Sequence, residues 1–225
     1  MTATAVDTVL FDLDDTLVTY NRSTAEVLTE AFEVVGVEPF FAPEAYFSRY
    51  EEFLPTTDSI DELRAACFAA IADERGRDPA VGRDVARACS RMRDHGDVRL
   101  LPGARDVLDS FRDDYRLGIV TNGSPEAQRP KLARSGLGDY FETVVFAGYD
   151  TDPKPETEPF DHALTALDST AERAVHVGNS LASDVAGANA AGLASVWIPA
   201  YEEAVAVEPQ YRFDTLHGLV DRPWI

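Results

Sequence analysis

The sequence predicts an α/β protein whose core is a mostly parallel sheet with helices on both faces. Three observations support this fold class. From residue 98 onward, short apolar segments alternate with helical ones, which is typical of parallel strands joined by helices. Residues 6–13 have the apolar pattern of a further buried strand, expected in the same sheet. Between the two regions, residues 23–97 have helical periodicity almost throughout, so a helical insert is expected after the first strand.

Each helix of the insert has recognisable start or stop residues. These are Ser23 with Glu26 and Ser59 with Glu62 as capping pairs, Asp78-Pro79 as a start, and Gly36 and Gly76 as stops. A further amphipathic segment at residues 43–54 is rich in aromatic side chains. The sequence therefore predicts two domains: an α/β core at 1–19 and 98–225, and a helical cap at 20–97.

In the second half of the chain, helices and strands follow one another with short loops between them. Helices are predicted at 104–113, 125–135, 158–168 and 183–191, and strands at 116–120, 143–147, 174–178, 194–198 and 211–213.

The charge of the chain limits its partners. With 40 acidic and 20 basic residues, the net charge is -20, which argues against nucleic acid and anionic membranes. Only Lys131 and Lys154 are lysines, and the remaining basic residues are arginines. An acidic, lysine-poor composition is typical of halophilic proteins, because molar salt shortens the Debye length to about 3 Å and screens self-repulsion.

No targeting or membrane segment is recognisable, so a cytoplasmic protein is expected. Cys67 and Cys89 lie in helical segments and are expected to be buried apolar residues without a disulfide. The four histidines lack the spacing of zinc ligands. They are His95, His162, His176 and His217.

The most informative segment is the acidic cluster that follows the first strand. Asp12, Asp14 and Asp15 come directly after the apolar run that ends at Phe11. In an open α/β sheet, ligands bind beyond the carboxyl ends of the strands. Carboxylates crowded at such a position repel one another unless a cation is present, and Mg²⁺ is the usual one. Asp12 and Asp14 are therefore candidates for catalysis and metal binding.

Three more polar motifs follow apolar strands or lie in the loop after one: Thr121-Asn122, Lys154-Pro155 and Gly178-Asn179-Ser180 leading to Asp184. Lys154 is notable because the chain otherwise uses arginine almost throughout, and lysine supplies a compact point charge. Lys131, at helical spacing after Thr121, is interpreted more simply as lining the core.

These four motifs, in this order, resemble those of the haloacid dehalogenase superfamily, in its phosphatase branch with a helical cap after the first strand. The resemblance covers essentially the whole chain and rests most specifically on the segment from Asp12 to Leu17. It implies a Rossmann-like core and Mg²⁺-dependent hydrolysis of a small phosphorylated metabolite.

The resemblance also implies roles for individual residues. Asp12 would be the nucleophile that becomes an aspartyl phosphate, Asp14 the general acid and base, and Lys154 the neutralising cation. Thr121 would contact the phosphoryl group as a catalytic residue. The remaining residues implied are Thr16, Asn122 and Gly123 for phosphate binding, and Asp12, Asp14, Asn179 and Asp184 for the metal.

Asn179 departs from the family pattern, which has an aspartate at this position. An amide oxygen can still bind Mg²⁺, but without a negative charge, so a weaker metal site is expected. Three alternatives stay open: a 2-haloacid dehalogenase, against which Asp14 argues, a phosphomutase, and a non-catalytic binding protein. The physiological substrate and the oligomeric state are not specified by the sequence.

Overall fold

The computed structural model describes residues 5–57, 59–200 and 207–224, and the chain forms two compact units. One unit consists of Met1–Thr19 together with Val98–Ile225, and the other is Tyr20–Asp97.

The first unit is built on a six-stranded sheet in the order β5-β4-β1-β6-β7-β8, in which every neighbouring pair is parallel. This confirms the predicted fold class. A second sheet consists of β2 and β3. The strands in the described chain are β1 (Thr8–Phe11), β2 (Val18–Tyr20), β3 (Val98–Leu100), β4 (Arg116–Thr121), β5 (Thr143–Phe146), β6 (Ala174–Gly178), β7 (Ala194–Trp197) and β8 (Tyr211–Arg212).

The helices of the described chain follow the predicted order. They are α1 (Thr24–Val35), α2 (Pro43–Phe47), α3 (Tyr50–Phe53), α4 (Ile60–Glu74), α5 (Pro79–Met92), α6 (Ala104–Phe111), α7 (Pro125–Ser135), α8 (Glu158–Ala166) and α9 (Ala186–Ala190). Among the residues that the structure describes, no helix has the length and apolar character that a bilayer crossing requires.

The large sheet is covered on both faces, because successive side chains of a strand point to opposite sides. Val9 and Phe11 of β1 pack into one apolar cluster with Leu108 and Phe111 of α6. Leu10, between them, packs into a second cluster on the other face, with Phe160 of α8. The continuous apolar run of β1 therefore reflects burial on both sides.

The helical unit has its own aromatic core. Phe32, Phe41 and Phe68 pack edge to face, and Phe40 and Tyr46 extend the same cluster. These aromatic side chains stabilise the unit internally. Cys67 and Cys89 are both buried in it as free thiols, as predicted.

Several elements differ from the prediction. The segment 43–54 forms two short helices, because the chain tightens between them: the Arg49 amide bonds to the Tyr46 carbonyl in the three-residue pattern of a 3₁₀ turn. The helix predicted at 183–191 begins with a π-helical turn at Leu181–Val185. The strands β2 and β3 are three residues each, too short to produce a periodic pattern.

Candidate active site

The polar motifs of the core unit meet at the carboxyl ends of three adjacent strands. Phe11 in β1 is in register with Ile119 in β4 on one side and with Val177 in β6 on the other. Asp12 follows β1 directly, Thr121 is the last residue of β4, and Asn179 follows β6. Parallel pairing thus brings together residues that lie more than a hundred positions apart in the sequence.

Lys154 lies at the centre of a buried charge cluster with Asp12 and Asp184. Its ammonium donates to Asp12 Oδ1 at 2.9 Å, to Asp184 Oδ1 at 2.6 Å and to the Val120 carbonyl at 2.7 Å. Lys154 is 3% exposed, Asp12 7% and Asp184 1%. Since an ammonium has three hydrogens, Lys154 is fully paired and held in place.

The pKa values of the two carboxylates in this cluster are shifted in opposite directions. Burial raises the pKa of Asp12 to about 7, with a further contribution from the negative charge of Asp184, although Lys154 opposes both. Burial would also raise the pKa of Asp184, but Lys154 and His176 outweigh it and hold the pKa below its usual value. Burial works against the Lys154 ammonium too, and the two aspartates nevertheless keep its pKa above the ordinary value.

His176 supports Asp184 from within the sheet. Burial lowers the pKa of His176, and its Nε2 lies 3.0 Å from Asp184 Oδ1. The backbone N–H of Ser180 donates to Asp184 Oδ2 at 3.0 Å. Asp184 therefore accepts hydrogen bonds at both oxygens. No sequence pattern distinguishes His176 from the other three scattered histidines, so its role is visible only in the structure.

Asp14 points to helix α7. Lys131 Nζ lies 2.5 and 2.7 Å from its two oxygens, and Gln128 Nε2 donates to Oδ2 at 2.8 Å. Lys131 is 3% exposed, so the interpretation that it merely lines the core was incomplete: it is a buried partner of Asp14. Gln128 was missed entirely. Its only signal was its spacing, seven residues after Thr121 and three before Lys131.

The Thr121 hydroxyl lies beside this group and accepts hydrogen bonds from two donors. Gln128 Nε2 donates to it at 2.7 Å, and the Gly123 backbone N–H at 3.3 Å. Gly123 has no room for a side chain, since a Cβ there would lie 2.1 Å from Gln128 Nε2.

Asn122 fastens the loop that carries Lys154. Its side-chain nitrogen donates to the Lys154 carbonyl at 2.9 Å, and its side-chain oxygen accepts from the Lys154 backbone N–H at 2.9 Å. Both polar groups of the Asn122 side chain are engaged in this way. The structure therefore places Asn122 as a support for Lys154.

Oxygen ligands suited to a hard cation converge on Thr16. Its hydroxyl lies 3.3 Å from Asp12 Oδ2 and 3.4 Å from Asn179 Oδ1. Within the described residues, no three His, Cys, Asp or Glu side chains gather into a metal centre, since Asp14 faces Lys131 and Asp184 faces Lys154. The carboxylate of Asp12 and the amide of Asn179 nevertheless fit Mg²⁺, which binds few protein oxygens and keeps several waters.

This arrangement defines a class of enzyme. A buried carboxylate held by lysine at a strand end can attack an electrophile, and a second carboxylate two residues later can transfer protons. The protein-family model of haloacid dehalogenase-like hydrolases matches residues 6–192. The chain therefore belongs to the haloacid dehalogenase-like hydrolase family and is a hydrolase.

Individual relatives agree with this assignment. The chain is 32% identical over 219 residues to the phosphoserine phosphatase of Thermus thermophilus, covering 84% of this chain and 87% of the relative. It is 41% identical over 101 residues to the glyceraldehyde 3-phosphate phosphatase of Pyrococcus abyssi. That second match spans less than half of each protein, 44% of this chain and 42% of the relative.

A solved structure has the same fold over nearly the whole chain. The magnesium-bound HAD-hydrolase YfnB from Bacillus subtilis matches with a TM-score of 0.76 and 25% identity, covering 97% of this chain and 98% of YfnB.

Proposed function

We propose that this protein is a Mg²⁺-dependent phosphatase that hydrolyses a small phosphate monoester through an aspartyl-phosphate intermediate. The observation that carries the proposal is the buried contact between Lys154 and Asp12 at the end of β1. Lys154 occupies one oxygen of Asp12, while the other makes a longer hydrogen bond with Thr16.

In the first step, a carboxylate oxygen of Asp12 attacks phosphorus as the bond to the ester oxygen breaks. Asp14 transfers a proton to the leaving oxygen, so the alcohol departs neutral. In the second step, water attacks phosphorus and gives a proton to Asp14. The bond between phosphorus and Asp12 breaks, which releases inorganic phosphate and restores the Asp12 carboxylate.

Three other groups support these steps. Lys154 compensates the negative charge of Asp12 and of the phosphoryl group near it. The Thr121 hydroxyl would contact a phosphoryl oxygen, with the Gly123 backbone beside it. Asp184 holds the Lys154 ammonium and is itself held by His176, and Asn122 holds the loop of Lys154.

Asp12 and Asn179 would hold the metal through their side-chain oxygens, with the Asp14 carbonyl as the further ligand that the family resemblance implies. Asp184 would support the site by accepting hydrogen bonds from the Lys154 ammonium and from the Ser180 backbone N–H. Mg²⁺, when bound, would withdraw charge from the phosphoryl oxygens. The magnesium in the YfnB structure supports this assignment.

The names of the relatives point to small monoesters, since one is a phosphoserine phosphatase and another a glyceraldehyde 3-phosphate phosphatase. We propose that the helical unit Tyr20–Asp97 selects among such substrates, as the cap of the family does. Its aromatic side chains pack against one another, which favours a structural role for them.

The proposal is tested by hydrolysis of p-nitrophenyl phosphate, phosphoserine and glyceraldehyde 3-phosphate in molar KCl, with and without Mg²⁺. We expect metal-dependent turnover that Asp12→Asn reduces by at least about 10³-fold, because the nucleophile is lost. Asp15→Asn is the matched control. Asp15 has φ 54° and accepts a hydrogen bond from Thr19, and asparagine tolerates both.

An acid quench during turnover, followed by mass spectrometry of the peptide containing Asp12, is expected to detect a phosphoryl adduct. Unchanged turnover in Asp12→Asn, or an adduct on another residue, would contradict the mechanism. Equal rates with Mg²⁺ and with a chelator would contradict the metal assignment alone.

A further inference from the structure

We propose that Gln128 and Lys131, on one face of α7, are positioning residues that set the orientation of Asp14 for proton transfer. The inference rests on the proposed function, because it assigns supporting residues to the proton-transfer group of that reaction. Lys131 contacts Asp14, and Gln128 contacts both Asp14 and Thr121.

Two buried side chains donate to the Asp14 carboxylate. Its two oxygens receive three contacts, two from Lys131 Nζ at 2.5 and 2.7 Å and one from Gln128 Nε2 at 2.8 Å. Gln128 is 0% exposed and Lys131 3% exposed, whereas the Asp14 side chain is 38% exposed. Buried donors thus hold a carboxylate whose other side is accessible to solvent, as a proton-transfer group requires.

Gln128 and Lys131 lie on the same face of α7. Residues three apart on an α-helix lie on the same face, so Gln128 and Lys131 reach Asp14 together. Ser124 caps α7 by accepting the Ala127 backbone N–H, which fixes the start of the helix. A Cβ on Gly123 would overlap the Gln128 side chain, so a glycine at this position leaves the space that Gln128 occupies.

Gln128 also links the two halves of the site. The Gln128 amide nitrogen carries two hydrogens and has two acceptors, Asp14 Oδ2 at 2.8 Å and Thr121 Oγ1 at 2.7 Å. Because Thr121 Oγ1 also accepts from the Gly123 N–H at 3.3 Å, both of its lone pairs are used. Its own hydrogen is then available for a phosphoryl oxygen. One amide therefore sets the geometry of both the proton-transfer group and a phosphate-binding hydroxyl.

A purely structural role for the pair predicts something different. Removing one partner of a buried ion pair destabilises the fold, and that loss does not depend on which ester is the substrate. A positioning role instead predicts a defect that depends on how much the leaving group needs a proton. Nitrophenolate leaves readily without one, whereas an alkoxide does not.

The experiment measures the phosphorylation step in a single turnover with Mg²⁺ present. It compares p-nitrophenyl phosphate with an alkyl ester, glyceraldehyde 3-phosphate or phosphoserine, whichever wild type turns over. The variants are Gln128→Met, which keeps the approximate length of the side chain and removes the amide donors without adding charge, and Lys131→Met, which removes the ammonium. Glu126→Gln, an exposed position on the same helix, is the control.

We expect both variants to slow phosphorylation by the alkyl ester by about 100-fold and by the aryl ester by less than about tenfold, with the half-saturating concentration nearly unchanged. Equal loss on both esters in a folded variant would overturn the positioning role. A raised half-saturating concentration with an unchanged limiting rate would also overturn it, because the residues would then bind substrate. If Lys131→Met does not fold, Gln128→Met decides the matter. Failure of the proposed function is separate, because it appears as turnover that survives Asp12→Asn.

Discussion

At the scale of single residues, the site depends on a lysine that forms ion pairs with two buried carboxylates. Lys154 and Asp12 are almost completely buried, and an unpaired charge at such depth is strongly unfavourable. The pKa of Asp12 is nevertheless raised to about 7, so the cluster by itself does not fully stabilise the ionised nucleophile. A bound cation beside Asp12 would favour the ionised form, which links metal binding to activation of the nucleophile.

Asn179 is the residue expected to limit the affinity for Mg²⁺. Its amide oxygen faces Thr16 together with Asp12 Oδ2, but it contributes no charge. We expect Asn179→Asp to bind Mg²⁺ at least about tenfold more tightly, because affinity for a hard cation rises with the number of charged ligands. Trp197 Nε1 donates to the Asn179 carbonyl at 2.8 Å, so titration of the metal followed by tryptophan fluorescence measures the affinity without turnover.

Two variants complete this measurement. Asn179→Ala is expected to weaken Mg²⁺ binding, since the side-chain oxygen is lost. Ala182→Asp adds the same charge at an exposed position nearby and is expected to change the affinity by less than about threefold through a screened, solvent-exposed charge. Equal affinities for wild type and Asn179→Asp would show that this side chain does not bind the metal.

At the scale of elements, the end of β6 is shaped around Asp184. Gly178 ends the strand, and the following turn at Leu181–Val185 is π-helical, with the Asp184 and Val185 amides both bonding to the Ser180 carbonyl. This turn returns Asp184 over the strand end. A Cβ at Gly178 would lie 2.2 Å from Asp184 Cγ, so only glycine allows the carboxylate to reach Lys154.

We therefore expect Gly178→Ala to displace Asp184, to destabilise the fold by about 1–3 kcal/mol through overpacking, and to abolish most of the turnover. Chemical denaturation and kcat measure the two effects. Gly138→Ala is the matched control, because its Cβ would have its nearest neighbour at 3.9 Å. A Gly178→Ala protein with wild-type stability and turnover would show that the position of Asp184 is not critical.

At the scale of the whole molecule, the dominant feature is the net charge of -20. Its self-repulsion opposes the compact state in dilute buffer and is screened in molar salt. We expect the Tm to rise with KCl, by about 2–4 °C for each kcal/mol of repulsion that is relieved. A Tm that is the same in dilute buffer and in molar KCl would contradict the halophilic interpretation.

A charge-reduced variant shows whether KCl stabilises the protein by screening its charge repulsion or by a general effect of salt. Glu33→Gln, Glu38→Gln and Asp139→Asn together neutralise three exposed acids. This variant is expected to be more stable than wild type in dilute buffer and to depend less on KCl. The same KCl dependence in both proteins would attribute the effect to salt acting on apolar burial, without a role for charge.

The sequence by itself determined the features that depend on local pattern. The alternation of strands and helices specified a parallel sheet, and the apolar run before Asp12 specified which strand end carries the nucleophile candidate. The rarity of lysine identified Lys154, because a chain that otherwise uses arginine has little other reason for one there. Caps at Ser23 and Gly36 were also readable, since each is a local hydrogen-bonding or φ requirement.

The tertiary structure decided which distant polar residues meet. Gln128 and Lys131 are 114 and 117 positions from Asp14, and nothing in the local pattern of α7 indicates which of its faces meets that carboxylate. Asp184, which His176 supports, likewise reaches the cluster of Lys154 and Asp12 because β6 lies beside β1 in the sheet. Local periodicity determines secondary structure, whereas the pairing of buried polar groups depends on strand order and helix packing, which only the folded chain specifies.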